Sequence, residues 1–323
     1  MTKFHKILLT GASGFVGNAL FEKLMKDGFY VTGTSRVRQS DSIVAMPLDS
    51  KDWTPLINDV DTIIHCAALA HVASSKDEEF VSQVREYNVV APQRIAQQAR
   101  EAGVKRFIFL SSVKVLGEST APGEVYTDQS GYSPKDLYGE SKRDAEVALK
   151  EELAGSNTEL VIIRPTLVYG PGVKGNFKVL MGLAKKNIPL PLATVKNQRS
   201  LVALENLVSL ITTCVKHPEP LNETFLVSDD YDVSTNELFE TLSRSYGKNP
   251  TLWSLPVGLM RFSAKLLGKK VIADRLFGNL QVDITYTKKV LNWEPPVSFQ
   301  HAIESCVNHE LSNSCDSKNY SGN

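Results

Sequence analysis

The chain has 323 residues, 42% hydrophobic and 22% charged, with 36 basic and 36 acidic side chains and a formal net charge of zero. This is an ordinary globular composition, and the balanced charge argues against a nucleic-acid-binding surface. The four cysteines, Cys66, Cys214, Cys306 and Cys315, form no CxxC pair and no Cys/His cluster, which excludes a zinc site or a disulfide framework and suits free thiols in a reducing cytoplasm.

In chain order, "MTKFHK" leads directly into a strand without a signal-peptide pattern, and no apolar run is long enough to span a bilayer, so a cytoplasmic protein is expected. The strand "KILLT" hands over to Gly11, Gly14 and Gly17, which open a helix over Phe15–Asp27 with Gly28 at its C-cap. The runs "YVTGTS", "DTIIHCA", "RFIFLSS" and "LVIIRPT" are further strands, nearly continuous in Ile, Leu, Val and Phe, as parallel strands covered on both faces should be. Helical patterns over Glu78–Ala102 and Leu137–Ala154 lie between them, with Gly103 as a second C-cap. This alternation predicts an α/β fold, a Rossmann-type doubly wound parallel sheet over residues 1–170. Beyond Gly170 the rhythm loosens into a smaller substrate-binding lobe over 171–311, some of whose segments return to the first domain, followed by a disordered tail over 312–323.

A strand that ends in tight glycines and opens a helix gathers free backbone N–H groups at a positive helix end, where a phosphate fits. Gly11 makes the turn, Gly14 admits a pyrophosphate, and Gly17 lets the helix lie close to the strand. Ser133-Pro134 reads as the start of the next important helix, on which Tyr138 and Lys142 are four apart and share a face. A phenol beside an ammonium and an oxidised nicotinamide is expected to titrate lower than usual and to serve as an acid/base. Ser111 and Ser112 end a strand at the ligand crevice; one of them is expected to be a capping residue, the other to bond the reacting oxygen. The second strand ends in Thr34-Ser35-Arg36-Val37-Arg38 with no acid, so NADP(H) is favoured over NAD(H), with Arg36 toward the 2′-phosphate. Ala67 and Ala68 are small enough to let a dinucleotide approach the backbone. His65 and His71 flank them without further ligands nearby, so no metal is expected. The basic, apolar stretch "LMRFSAKLLGKK" is read as a helix packed on the substrate lobe rather than as a membrane surface.

The segments TGASGFVG (Thr10–Gly17), the serine pair, YGESK (Tyr138–Lys142) and "RPTLVYGPG" (Arg164–Gly172) together resemble the extended short-chain dehydrogenase/reductase superfamily over nearly the whole chain. The resemblance implies hydride transfer at a sugar carbon of a nucleotide-linked sugar. It implies catalytic Ser112, Tyr138 and Lys142, and dinucleotide contacts from Gly11, Ser13, Gly14, Phe15, Val16, Gly17, Asp49, Asn88, Tyr138, Lys142 and Pro165. Asp49 would meet the adenosine, and Asn88 would support the lysine's hydrogen-bond network. Asn176 and Arg199 would meet the sugar nucleotide, with Arg275 as a further candidate. Within the superfamily the chain looks most like bacterial surface-polysaccharide enzymes of the UDP-N-acetylquinovosamine dehydrogenase type. The expected activity is therefore NADP(H)-dependent 4-ketoreduction of a UDP-4-keto-6-deoxy-N-acetylhexosamine. The alternatives are a 4-epimerase of the UDP-glucose or UDP-N-acetylglucosamine type with tightly held NAD and, behind it, a non-catalytic dinucleotide-binding protein. The superfamily also implies a homodimer through two long helices, here Glu78–Ala102 and Leu137–Ala154.

Overall fold

In the computed structural model, which describes residues 5–70 and 77–319, the strands are β1 (Lys6–Thr10), β2 (Tyr30–Ser35), β3 (Ile43–Ala45), β4 (Thr62–His65), β5 (Arg106–Leu110), β6 (Glu159–Pro165), β7 (Leu167–Tyr169), β8 (Arg199–Ala203), β9 (Thr224–Val227) and β10 (Asp232–Val233). Seven of them form one parallel sheet in the order β3-β2-β1-β4-β5-β6-β9. The order reverses between β1 and β4, and in such sheets the crevice at the carboxyl ends of those two strands receives the ligand.

Strand alternation supplies both cores. Ile7 and Leu9 of β1 join one apolar cluster with Leu20 and Leu24 of the Phe15–Lys26 helix and Leu207 and Ile211 of the Leu204–Lys216 helix. Leu8 points the other way, into a cluster with Phe107, Phe109, Ile95 and Leu149. The chain leaves the large sheet after Pro165, forms the small sheet β10-β8-β7, and re-enters the large one as β9, paired in parallel with β6. The separate lobe has its own core around Tyr169, Phe177, Met181, Phe239 and Ile303.

The Phe15–Lys26 and Leu137–Leu153 helices end within a residue of the predicted bounds, and Gly28 and Gly103 take the positive φ of C-caps (85° and 73°). Three features differ from the sequence reading. The helix from Glu78 is interrupted by one π-helical turn, Glu86–Val90, where the Ala91 amide reaches back to Glu86. Pro92 explains it: proline has no N–H for the carbonyl four residues back, and its ring would crowd it, so the helix widens. The last helix runs from Phe299 to Asn319, so the tail predicted to be disordered is helical up to that residue; Phe299, Ala302, Ile303, Cys306 and Val307 are its buried anchors among the described side chains. The Val257–Leu266 helix packs on the lobe through Met260, with Val257 beside it, but its other large apolar side chains, Leu259, Phe262 and Leu266, face outward.

An ion pair fixes β6 to the Leu137–Leu153 helix. Glu146, fully buried, accepts two bonds from Arg164 (3.0 and 2.6 Å), one from the Ser111 hydroxyl and one from Tyr132 Oη (2.8 Å). The Arg164 guanidinium also lies 5.2 Å from the centre of the Tyr132 ring. Removing the acid strands a guanidinium in the core. Glu146→Ala is expected to cost about 3–5 kcal/mol of stability, read as a lower urea midpoint; a loss under about 1 kcal/mol would show that the pair does not hold the helix.

Candidate active site

The glycine loop closes on the switch point. Gly11 has φ +73°, and a Cβ there would meet the Ala67 backbone nitrogen at 2.8 Å. A Cβ on Gly17 would stand 2.1 Å from the Gly11 carbonyl oxygen, so the first turn of the helix lies directly on the strand end. Gly14 donates to Gly11 O (2.9 Å), and the first helical bond runs from Asn18 N to Gly14 O (2.9 Å). The amides of Phe15, Val16 and Gly17 precede that bond and have no backbone partner among the described residues, while Ser13 and Gly14 are exposed beside them. This donor set fits the pyrophosphate of a dinucleotide.

Across the crevice, Thr10 Oγ1 and His65 Nδ1 are bonded at 3.0 Å, joining the ends of β1 and β4. The Ala67 amide also reaches Thr10 Oγ1 (3.4 Å), which draws the chain carrying Ala67 and Ala68 along the glycine loop. His65 is buried against Phe107 and Phe109, and burial, with Lys142 nearby, lowers its pKa to about 3, so it is neutral. No group of three or more His, Cys, Asp or Glu side chains among the described residues could hold a metal, and His71 lies outside those residues.

The second strand delivers Arg36 to solvent at its end, without an ion pair among the described residues, whereas Arg38 is engaged by Asp41 at 2.6 Å. Asp49 is exposed four residues beyond β3, and Pro165 is buried as the last residue of β6.

The residues expected to react, Ser112, Tyr138 and Lys142, lie on the Leu137–Leu153 helix and the turn against it. The Leu137–Leu153 helix starts not at Ser133 but after Asp136, whose carboxylate accepts the Gly139 amide (2.8 Å) as N-cap. Gly139 is in close contact with the preceding loop: a Cβ there would be 2.8 Å from Lys114 O. This brings Tyr138 against the turn that begins at Ser112. Ser112 Oγ accepts the Lys114 amide (3.2 Å), and the Lys114 ammonium lies 6.0 Å from the Tyr138 ring centre. Of the two serines, Ser111 is buried and bonded to Glu146, whereas the half-buried Ser112 is the capping one, at the start of the Val113–Val115 turn.

One turn on, Lys142 is buried, with its ammonium donating to Leu110 O (2.7 Å) at the end of β5 and lying 4.4 Å from the Phe109 ring centre. Burial lowers its pKa to about 8, so it stays largely charged at neutral pH. In the chain alone burial, helped by Asp136, pushes the Tyr138 pKa up to about 12; the lowering expected of it belongs to the complex with an oxidised nicotinamide. Burial also acts on Asp136, but the Lys114 ammonium and the Gly139 amide outweigh it and hold that carboxyl below its usual range.

Asn88 is only 1% exposed, but it does not bond Lys142. Its Oδ1 accepts the Leu69 amide (2.8 Å), and its Nδ2 donates to Leu69 O (3.2 Å) and Ser141 Oγ (3.0 Å); that hydroxyl donates to Tyr138 O (2.8 Å). Asn88 therefore holds the backbone of the tyrosine and of the loop after Ala68. The π-helical turn puts it there, and Pro92 was its one sequence signal.

In the lobe, Arg199 donates to Gly278 O (3.0 Å) and Arg275 pairs with Glu118 (3.3 Å). Burial lowers the pKa of Arg199, and the nearby Arg275 lowers it further, so two guanidinium groups share one neighbourhood. Asn176 is exposed near the start of the Gly175–Lys185 helix, away from any hydrogen bond among the described residues. The sequence reading missed Lys114 and Glu118, which pair at 2.9 Å and link the catalytic turn to Arg275; the signal was a lysine two residues after the serine pair.

The pattern of the NAD dependent epimerase/dehydratase family matches residues 7–228. The chain is 45% identical over 307 residues to a UDP-glucose 4-epimerase of Vibrio cholerae, covering 92% of this chain and 93% of that one. Its fold is that of the UDP-glucose 4-epimerase of Thermotoga maritima solved with UDP-glucose (TM-score 0.77, 20% identity, 96% and 99% of the two chains). It is likewise that of the UDP-glucuronic acid 4-epimerase of Bacillus cereus solved with NAD (TM-score 0.78, 18% identity, 95% and 99%). With a glycine loop at the switch point and the tyrosine and lysine on the facing helix, the chain belongs to the NAD dependent epimerase/dehydratase family and is an enzyme of the short-chain dehydrogenase/reductase type.

Proposed function

We propose that this enzyme interconverts the C4 epimers of a UDP-linked hexose or N-acetylhexosamine, with NAD retained through the cycle. The observation that carries this reading is the near-full-length likeness to the Vibrio cholerae UDP-glucose 4-epimerase. The 4-epimerase alternative thus replaces the ketoreductase expected from the sequence. NADP(H) is expected from the missing acid at the end of the second strand, with Arg36 and Arg38 beside it; the acid is still missing, but Arg38 is engaged by Asp41, and Arg36 alone is a solvated charge, a weak selector for a 2′-phosphate. The Bacillus cereus relative in fold is a 4-epimerase that binds NAD, which agrees with NAD here.

NAD, when bound, supplies a hydride acceptor and returns the hydride. The chain's own residues handle everything else. The amides of Phe15, Val16 and Gly17 would hold the pyrophosphate. Ser112 Oγ would bond the sugar's O4, and Tyr138 would take its proton as C4 is oxidised and give it back after the keto sugar has turned over. A phenol with a raised pKa is a strong base once ionised but is rarely ionised. The Lys142 cation and the positive charge of the oxidised ring are what make that transfer accessible at neutral pH. Arg199, partly buried, and Arg275, more exposed, would meet the diphosphate in paired hydrogen bonds.

Purified protein given UDP-galactose or UDP-N-acetylgalactosamine, with no added nicotinamide cofactor, is expected to form the gluco epimer, and denaturation is expected to release NAD+ in near-stoichiometric amount. Turnover that requires NADPH and consumes it with a 4-keto-6-deoxy sugar would restore the ketoreductase. Tyr138→Phe should reduce kcat by about 10²–10⁴-fold while the released NAD+ is unchanged; retained activity would remove the phenol from the proton transfer.

Arg199→Gln is expected to raise KM for the UDP-sugar by about 10–100-fold with kcat changed much less. Arg275→Gln should act in the same direction but more weakly, because its guanidinium is exposed and shared with Glu118. Equal KM values for wild type and Arg199→Gln would place the diphosphate elsewhere.

A further inference from the structure

The Val257–Leu266 helix and the Lys270–Phe277 helix that follows it form an outer edge of the lobe. The first is apolar on two opposite sides. Val257, Met260 and Ala264 turn toward the protein, and Met260 is buried in the lobe's core. Leu259, Phe262 and Leu266, at i, i+3 and i+7, form a second stripe on the far side and are 51%, 59% and 73% exposed. Leu267 (71%) and Ile272 (50%) extend the apolar surface into the next helix. A surface helix normally spends its second side on polar residues, so a contiguous outward apolar stripe marks a contact surface.

Its charge says what it contacts. Residues 257–272 contain Arg261, Lys265, Lys269 and Lys270 and no acid, in a chain whose net charge is zero. Arg261 is occupied by Asp274 (3.1 Å), but Lys265, Lys269 and Lys270 are exposed and make no ion pair among the described residues. Outward Phe and Leu flanked by unpaired lysines suit the boundary between acyl chains and anionic headgroups, where the apolar groups insert and each cation adds attraction. A second copy of the chain suits it less, because a two-fold contact would set this lysine cluster against its own image.

We propose that this edge rests on the anionic surface of a membrane, as a peripheral contact and not a span; no helix among the described residues is long and apolar enough to cross a bilayer. The sequence reading had given this stretch to packing on the lobe; the outward stripe is what changes the assignment. The contact lies beside the substrate end of the site, since Arg275 is on the Lys270–Phe277 helix and Gly278, just after it, accepts Arg199. It does not depend on which sugar nucleotide the enzyme uses.

The test is co-sedimentation of the full chain with vesicles of phosphatidylglycerol and phosphatidylcholine, and with phosphatidylcholine alone, at low and at physiological salt. The wild type is expected to bind the anionic vesicles, less tightly as salt rises, and to leave the neutral ones largely unbound. The double variant Phe262→Ser, Leu266→Ser and the variant Lys269→Glu, Lys270→Glu should each lose about tenfold or more in vesicle affinity while keeping wild-type turnover of soluble substrate. Absence of wild-type binding at low salt, or equal binding by the variants, would overturn the proposal. So would a dimer of the wild type in sedimentation velocity that the apolar variant dissolves while neither binds vesicles, which would assign the stripe to a second copy.

Discussion

No side chain can stand at position 17. A Cβ there would be 2.1 Å from the Gly11 carbonyl, and one at position 11 would strike the Ala67 backbone at 2.8 Å. Because neither exists, the first turn of the Phe15–Lys26 helix sits on the end of β1 and the chain after β4 closes over it. The same region tolerates little at Gly33, whose Cβ would meet that of Ala12 at 2.7 Å, while the Ala12 amide is tied to Thr34 O (3.0 Å). Three strands and a helix terminus thus meet at backbone distance. That approach is what aims the free amides of Phe15, Val16 and Gly17 into the crevice rather than at solvent.

The opposite wall is set by a second pair of constraints. Gly139 admits the Lys114 carbonyl to the helix start, and Lys142 ties the next turn to Leu110 O (2.7 Å). Between these anchors burial governs the electrostatics. It raises Tyr138, lowers Lys142 and keeps His65 neutral. At neutral pH the wall therefore presents one buried cation and a neutral phenol, which can take a proton from an alcohol only after added positive charge has let the phenol lose its own. Under the proposed function that charge would come with the oxidised cofactor, for which the facing amides of Phe15, Val16 and Gly17 are the fitting donor set.

The parallel strands were legible because burial on both faces writes them as unbroken apolar runs, and the helix ends because Gly28 and Gly103 mark them. Ser112, Tyr138 and Lys142 were legible as a pattern, and the fold explains their grouping. What stayed hidden depends on tertiary packing. Glu146 lies in "KRDAEVALK", among surface-like charges, and only Arg164, eighteen residues on, shows that it is buried. Asn88 is named by the family resemblance, but that it bonds the backbone of Leu69 and the Ser141 hydroxyl depends on the helix widening at Pro92. The raised pKa that burial gives Tyr138 in the chain alone has no sequence signature, because a desolvation cost depends on tertiary packing, and the outward stripe at Leu259, Phe262 and Leu266 has none either, because an amphipathic pattern does not say which side faces in.

The two halves of the site are joined by one carboxylate. Glu118 accepts Lys114 at 2.9 Å from the catalytic turn and Arg275 at 3.3 Å from the lobe, and Lys114 in turn bonds Asp136, the cap of the helix that carries Tyr138. Each of these ions is at least partly solvated, so the bonds are exchangeable rather than fixed. A diphosphate that engaged Arg275 would compete directly with Glu118, and the released carboxylate would draw on Lys114. That lysine lies 6.0 Å from the Tyr138 ring, close enough for its position to alter the field at the phenol. Under the proposed function, binding at the nucleotide end would then be felt at Tyr138 through three side chains, Arg275, Glu118 and Lys114.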